Sequence, residues 1–184
     1  MPAGTRPASF KRYIRKVLIL LDPDVTISGH AKLVLDTMIK DVMDGLVDET
    51  RHVRRHQRIL PRDIQAGIKL LFPPRLAKSA LRNLLGALAR HQASAHLKTG
   101  RRHSNRAGLI LSVSQVRAFA VEKQYSVGLP AALALAAVLE FIMAELLAFA
   151  AMLIKLDKRK RILSRDLATT IHKEPELALL FNKA

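Results

Sequence analysis

Residues 58–68 read RILPRDIQAGI, and residues 161–171 read RILSRDLATTI. The same Arg-Ile-Leu-x-Arg-Asp signal, spelled once in each half of a 184-residue chain, marks a local structure that is built twice. Pro61 suits the first turn of a helix, and a second short helix starts from Ser164. Asp63 and Asp166 then fall in the first helical turn, where the positive end of the helix favours a carboxylate. Half of such a chain lies at the low end of what folds alone, so the duplication favours two units that share one core.

Working outward, residues 9–21 (SFKRYIRKVLILL) set Phe10, Tyr13, Ile14, Val17, Leu18 and Leu21 at helical spacing, and Asp22-Pro23-Asp24 ends that helix. After a loop at Val25-Thr26-Ile27, Ser28 can cap a long helix to about His56. Its apolar row is Ala31, Val34, Leu35, Met38, Val42, Leu46 and Val53. A third helix covers about 61–72, Pro73-Pro74 interrupts, and a fourth covers about 75–90. The second half repeats the order, with a short helix near 114–123, a loop near 125–129, a long helix near 130–156 and the short helix from Ser164. A short-long-short unit cannot bury its long helix alone, whereas two can cross their long helices and bury both. The predicted fold class is therefore all-α, two such units in one chain. Ile59 and Ile162 are expected to pair briefly, in extended form, with the other unit's first loop, while Arg58 and Arg161 project outward.

Lys and Arg number 31 against 15 Asp and Glu, for a formal net charge of +16, and both halves share the excess. Such a balance suits a polyanion, with duplex nucleic acid first and an anionic membrane surface second. The absence of Cys excludes disulfides and thiolate metal sites. With no Trp, 2 Tyr and 6 Phe, the chain is poor in the stacking platforms that hold single strands. Residues 1–9 lack the apolar core of a signal peptide. Residues 129–154 (LPAALALAAVLEFIMAELLAFAAMLI) are long enough to cross a bilayer. Glu140 and Glu145 interrupt them, at a cost in lipid of a few kcal/mol each. The segment is read instead as a helix clasped by a partner, its acids at the solvated edge, and no membrane is expected. His52 and His56, with Asp48 a turn earlier, form a possible metal pair. The preferred reading is a solvated basic helix face, so neither metal nor cofactor is expected. Met38 and Met43 read as core. With no glycine-rich phosphate loop, nucleophile elbow or inward pair of carboxylates, an enzyme is not expected.

These residues resemble the core histones. Residues 9–92 look like histone 2B, most specifically in LLFPPRLAKSA at 70–80. Residues 98–181 look like histone 2A through RAGLILSV at 106–113, LAAVLEFIMAELL at 135–147 and RILSRDLATTIHKEPEL at 161–177. The whole resembles the fused 2B-2A doublets of giant DNA viruses of the Marseillevirus group, in a short-tailed form. The resemblance implies a tail at 1–8, a histone 2B-like fold with an extra helix at 9–92, a basic linker at 93–105 and a histone 2A-like fold at 106–184. It implies an intramolecular heterodimer that wraps double-stranded DNA without sequence preference, two copies per nucleosome-like particle. Histone 3 and histone 4, as a fused 4-3 doublet, would be its partners. The location implied is chromatin, in the host nucleus or viral factory, and the virion. Fusion makes pairing of the two units intramolecular and so independent of chain concentration.

Carried over by position, Arg161 corresponds to the minor-groove arginine of the 2A-like unit, with Lys158, Arg159 and Lys160 beside it. Arg58, with Arg55 nearby, is its counterpart in the 2B-like unit. Ser28 and the amides around Ile27 would hold a phosphate at a helix start. Arg12 and Arg15 on the first helix, Arg117, and Arg101, Arg102 and Arg106 around the linker complete the implied DNA-binding set. Gln115, Ala118 and Val121 stand where the family carries arginines, so the centre of the dimer should grip DNA less firmly. An acidic patch is implied at Glu140, Glu145, Glu174 and Glu176, although Ala148, Pro175, Arg75 and Asn83 stand where four more acids belong. The family's docking segment has no counterpart after residues 177–181, which predicts a particle that sheds this chain more readily. A rival reading from another class is a histone-fold scaffold in a transcription-factor complex with little DNA contact. The charge at both RIL junctions favours packaging.

Overall fold

The computed structural model describes residues 9–53, 58–94 and 102–183, and of residues 51–53 the backbone alone. Within them the protein is all-α apart from two short strands. Helix α1 (Lys11–Leu21) buries Tyr13, Ile14, Val17 and Leu18, one face at helical spacing, and ends where Asp22 turns extended. Strand β1 (Thr26–Ile27) leads to Ser28, whose Oγ accepts the Ala31 N–H at 3.0 Å and so starts α2 (Gly29–Val53) as expected. Helix α3 (Pro61–Leu71) opens on Pro61, and Asp63 accepts the Leu60 N–H at 2.9 Å. Its twin α8 (Ser164–Lys173) does the same through Asp166 and the Leu163 N–H at 2.8 Å. The repeated Arg-Asp signal therefore closes a capping bond at the same place in both units.

Helices α4 (Pro74–Ala93), α5 (His103–Ala107), α6 (Val113–Glu122), α7 (Leu129–Leu156) and α9 (Pro175–Phe181) complete the described elements. The order α1-α2-α3 recurs as α6-α7-α8, short-long-short in each case. Strand β2 (Arg161–Ile162), which follows α7, pairs in parallel with β1, which follows α1, in the register Thr26 to Arg161 and Ile27 to Ile162. At the corresponding place Ile59 bridges Val127, again in parallel. Each unit's second loop thus pairs with the other unit's first loop, as expected from the repeat.

Residues 131–139 of α7 are buried without interruption. A helix apolar all round must be enclosed on all sides, and α7 packs against α1, α2, α3, α4, α6 and α8. By length and composition alone it could cross a membrane, but in this fold it is the central strut of the core. Phe10 and Phe119 meet edge to face across the two units, with ring centroids 6.4 Å apart. Asp36, buried in α2, accepts the Phe10 N–H at 2.5 Å and pairs with Lys40 at 3.0 Å.

Two boundaries differ from expectation. Residues 93–105 were expected to form a linker, yet α4 extends to Ala93 and α5 begins at His103, inside that span. Five residues carry too little periodicity to show as a helix, and α5 exists because its neighbours hold it. Helix α9 was also not foreseen. It packs on α8 and α2, with Leu177 and Leu180 fully buried.

Candidate nucleic-acid interface

The paired loops create two comparable ends. At the first, the β1–β2 pairing and the last turn of α1 border an open groove of about 480 Å³ lined by Arg15, Lys32, Arg161 and Thr26 over an apolar floor that includes Leu18, Val25 and Ile27. None of the described residues lining it is acidic. Three cations are brought together from α1, α2 and β2, Arg15 and Arg161 exposed and Lys32 half-buried, an arrangement suited to phosphate rather than to a metal. Arg15 and Arg161 were expected at DNA. Lys32 was not, because it lies one turn into a long helix, and only the β1–β2 pairing brings it beside Arg161.

Neighbouring residues take other parts. Lys158 and Lys160 are exposed, and Lys158 adopts a left-handed backbone with φ 55°. The Lys160 carbonyl accepts the Thr26 N–H at 2.8 Å and its hydroxyl at 3.2 Å. Ser28, expected to hold a phosphate, has structural bonds as well: its Oγ accepts the Ala31 N–H in the α2 cap, and its N–H donates to the Ile162 carbonyl at 3.0 Å. Arg159 also departs from a free DNA contact. Its guanidinium reaches Asp166 at 2.6 and 3.0 Å and Asp157 at 3.1 Å. The Arg159 hydrogen bonds hold the Asp166 carboxyl below the usual carboxylate range, and the same two acids raise Arg159. Arg159 fixes the loop from which Arg161 emerges.

At the second end Arg58 is exposed beside the Ile59–Val127 bridge. Its guanidinium lies on Gly128, the residue before α7, so closely that a Cβ there would come within 2.8 Å of Nε. A glycine gives the arginine its seat. Arg12 is exposed on α1 with its guanidinium over the Tyr13 ring, 5.1 Å from the centroid. Arg117 is exposed on α6, and Arg102 is exposed just before α5. Arg106, expected at DNA, is instead half-buried and donates from Nε to Ser94 Oγ at 3.2 Å. Arg55, Arg101, His56 and the side chain of His52 lie outside the described residues.

The four acids expected to form a surface patch are engaged in different ways. Glu140 was expected at a solvated edge, yet its Oε2 accepts the N–H groups of Ile110 and Leu111 at 2.7 and 2.6 Å. Burial raises its carboxyl above the usual range, against the lowering effect of those two bonds and of Arg90. Glu176 accepts the Leu76 N–H at 2.8 Å and so caps α4 from the other unit. Glu145 and Glu174 share a shallow surface with Arg75 and Phe141. Burial raises Glu145, Glu174 adds to the rise and Arg75 opposes it. Of the four acids, Glu140 is tied to two loop amides, Glu176 caps α4, and Glu145 and Glu174 line one surface with Arg75. No known family's sequence profile matches this chain.

Proposed function

We propose that this chain is a fused histone 2B-2A doublet, a structural protein that packages duplex DNA together with histone 3 and histone 4 partners. What carries the reading is the reciprocal loop pairing, which presents Arg161 with Arg15 and Lys32 at one end and Arg58 at the equivalent place on the other. Cations stand at corresponding junctions of a pseudo-symmetric pair, as two contacts on one duplex would require. They recognise phosphate and groove shape, not bases. The net charge of +16 makes binding strong at low salt and steeply salt-dependent. The sparse cationic character of α6, where Arg117 is exposed beside Ala118 and Val121, puts most of the grip at the two ends.

The test is a salt titration of duplex binding by the full chain and by the Arg15→Ala/Lys32→Ala/Arg161→Ala variant. Each phosphate contact contributes about 0.9 to the slope of log affinity against log salt. The variant should therefore lose up to about 3 from that slope, equally for unrelated sequences. An unchanged slope would remove the groove from the DNA interface and favour a scaffold that scarcely touches DNA.

A further inference from the structure

Helix α5 connects the two units, and its fastenings do not touch the candidate DNA groove. On the α4 side His91 Nε2 meets His103 Nδ1 at 3.0 Å, the ring centroids 5.3 Å apart and the planes tilted by 42°. Arg106 Nε donates to Ser94 Oγ at 3.2 Å, and that hydroxyl donates to the His91 carbonyl at 2.8 Å. Arg90 Nε donates to the Ala107 carbonyl at 2.8 Å, passing over Gly108, which is left-handed at φ 68°. On the α6 side Ser104 Oγ accepts the Val113 N–H at 3.0 Å. Two of these bonds belong to, or sit beside, a pair of imidazoles.

We propose that α5 is a pH-released clasp: the His91–His103 contact fastens the joint between the two units to the end of α4 at neutral pH, and protonation of both rings frees it. An imidazole pair needs one N–H directed at one lone pair. With no added proton, or with one, a donor and an acceptor are still present. A second proton removes the acceptor and sets two N–H groups against each other at a separation of 3.0 Å. The surroundings add to the repulsion. Among the described residues, the charged groups engaged at this joint are Arg90 on α4, Arg106 on α5 and Glu140 on α7, whose Oε2 is already taken by the Ile110 and Leu111 amides. The guanidinium groups of Arg90 and Arg106 also make the pair a poor seat for a metal cation.

Burial lowers His91 below the ordinary imidazole value, and Arg106 and His103 lower it further. The fastened form thus binds fewer protons than the released one. The clasp is complete above the ordinary value of about 6.5 and weakens as pH falls through it. Among the described residues of α1, α2, α7 and α8 there is no such pair, so release is local.

The experiment is amide hydrogen exchange on the full chain at about pH 7.5 and about pH 5, corrected for intrinsic rates. The readout is the amides of Arg106, Gly108 and Leu109, all hydrogen-bonded within or just after α5. Their protection should fall at least about tenfold at the lower pH while that of α7 is unchanged. In His91→Gln/His103→Gln the difference between the two pH values should vanish. Equal protection at both pH values in the wild-type chain, or the same fall in the double variant, overturns the proposal. Should the variant misfold, the ring resonances of the wild-type chain decide. His91 must titrate below the ordinary imidazole value, and an unlowered His91 is the refuting result.

Discussion

Glu140→Ala and Glu140→Gln separate the part this acid plays in the fold from the one its charge suggests. In the structure one oxygen of Glu140 accepts two backbone N–H groups, from Ile110 and Leu111, and so ties the approach to α6 onto the middle of α7. Leu111 is fully buried, whereas Ile110 is partly exposed and can find water. An unsatisfied buried amide costs about 1–3 kcal/mol, and a hydrogen bond to a charged acceptor contributes about 1.5–3 kcal/mol. Counting the Leu111 amide in full and the Ile110 amide in part, and subtracting the burial cost of the carboxylate, Glu140→Ala should destabilise by about 2–3 kcal/mol. For a domain of this size that lowers the melting temperature by about 5–10 °C. Glutamine places a carbonyl oxygen where Oε2 stands and accepts both bonds without a charge, so Glu140→Gln should remain within about 1 kcal/mol of the wild-type chain. The sign of its pH dependence follows from the raised carboxyl. Wild-type stability from this group is present below the unfolded value of about 4.3 and lost as pH rises through the higher folded value, so Gln gains on Glu over that interval. Urea unfolding followed by circular dichroism at several pH values measures all three chains. A Gln variant as unstable as the Ala variant would show that the charge matters and not the acceptor, and an unchanged Ala variant would show that the two amides need no partner.

Gly67→Ala should cost about 1–3 kcal/mol in the same assay. Its Cβ would meet the Leu46 carbonyl at 3.1 Å and the Thr50 methyl at 3.1 Å, where α3 crosses α2. Asp166→Asn should flatten the acid side of the stability profile, because stability from a lowered carboxyl is present above about 3.9 and lost as pH falls through its folded value. An acid profile identical to the wild type would count against the Arg159–Asp166 contact. Gly128→Ala should leave stability nearly unchanged, since the obstructing atoms are the end of the flexible Arg58 side chain. It should weaken duplex binding at that end, and equal affinity in a binding titration would show that the seat of Arg58 on Gly128 is dispensable.

The helical plan was legible in the sequence because strong periodicity and clear punctuation coincide. The row Tyr13, Ile14, Val17, Leu18 buries as its spacing indicates, Ser28 caps α2, and Pro61 and Asp63 open α3 as their types require. The duplicated RIL signal revealed the reciprocal loop pairing, since β-branched residues between two helices have few other uses. Arg58 and Arg161 emerged on the exposed side for the same reason. The outer helices α5 and α9 were not legible, because a helix of five or seven residues leaves almost no periodic trace.

What the sequence by itself determined is therefore the set of helices longer than about two turns, their order, and the excess of positive charge. Which charges are available was decided by tertiary structure alone. Arg159 and Arg161 are two positions apart in a run of four basic residues, yet one is bound by Asp157 and Asp166 and the other faces the groove. Glu140 and Glu145 look alike along α7, yet the first is fastened to two amides and the second stands beside Arg75. Lys32 becomes part of a cationic groove through strands that pair Thr26 with Arg161, from opposite ends of the chain. Side-chain type and spacing fix local geometry, whereas the partner that neutralises or frees a charge comes from elsewhere in the chain, and only the packed fold brings it within range.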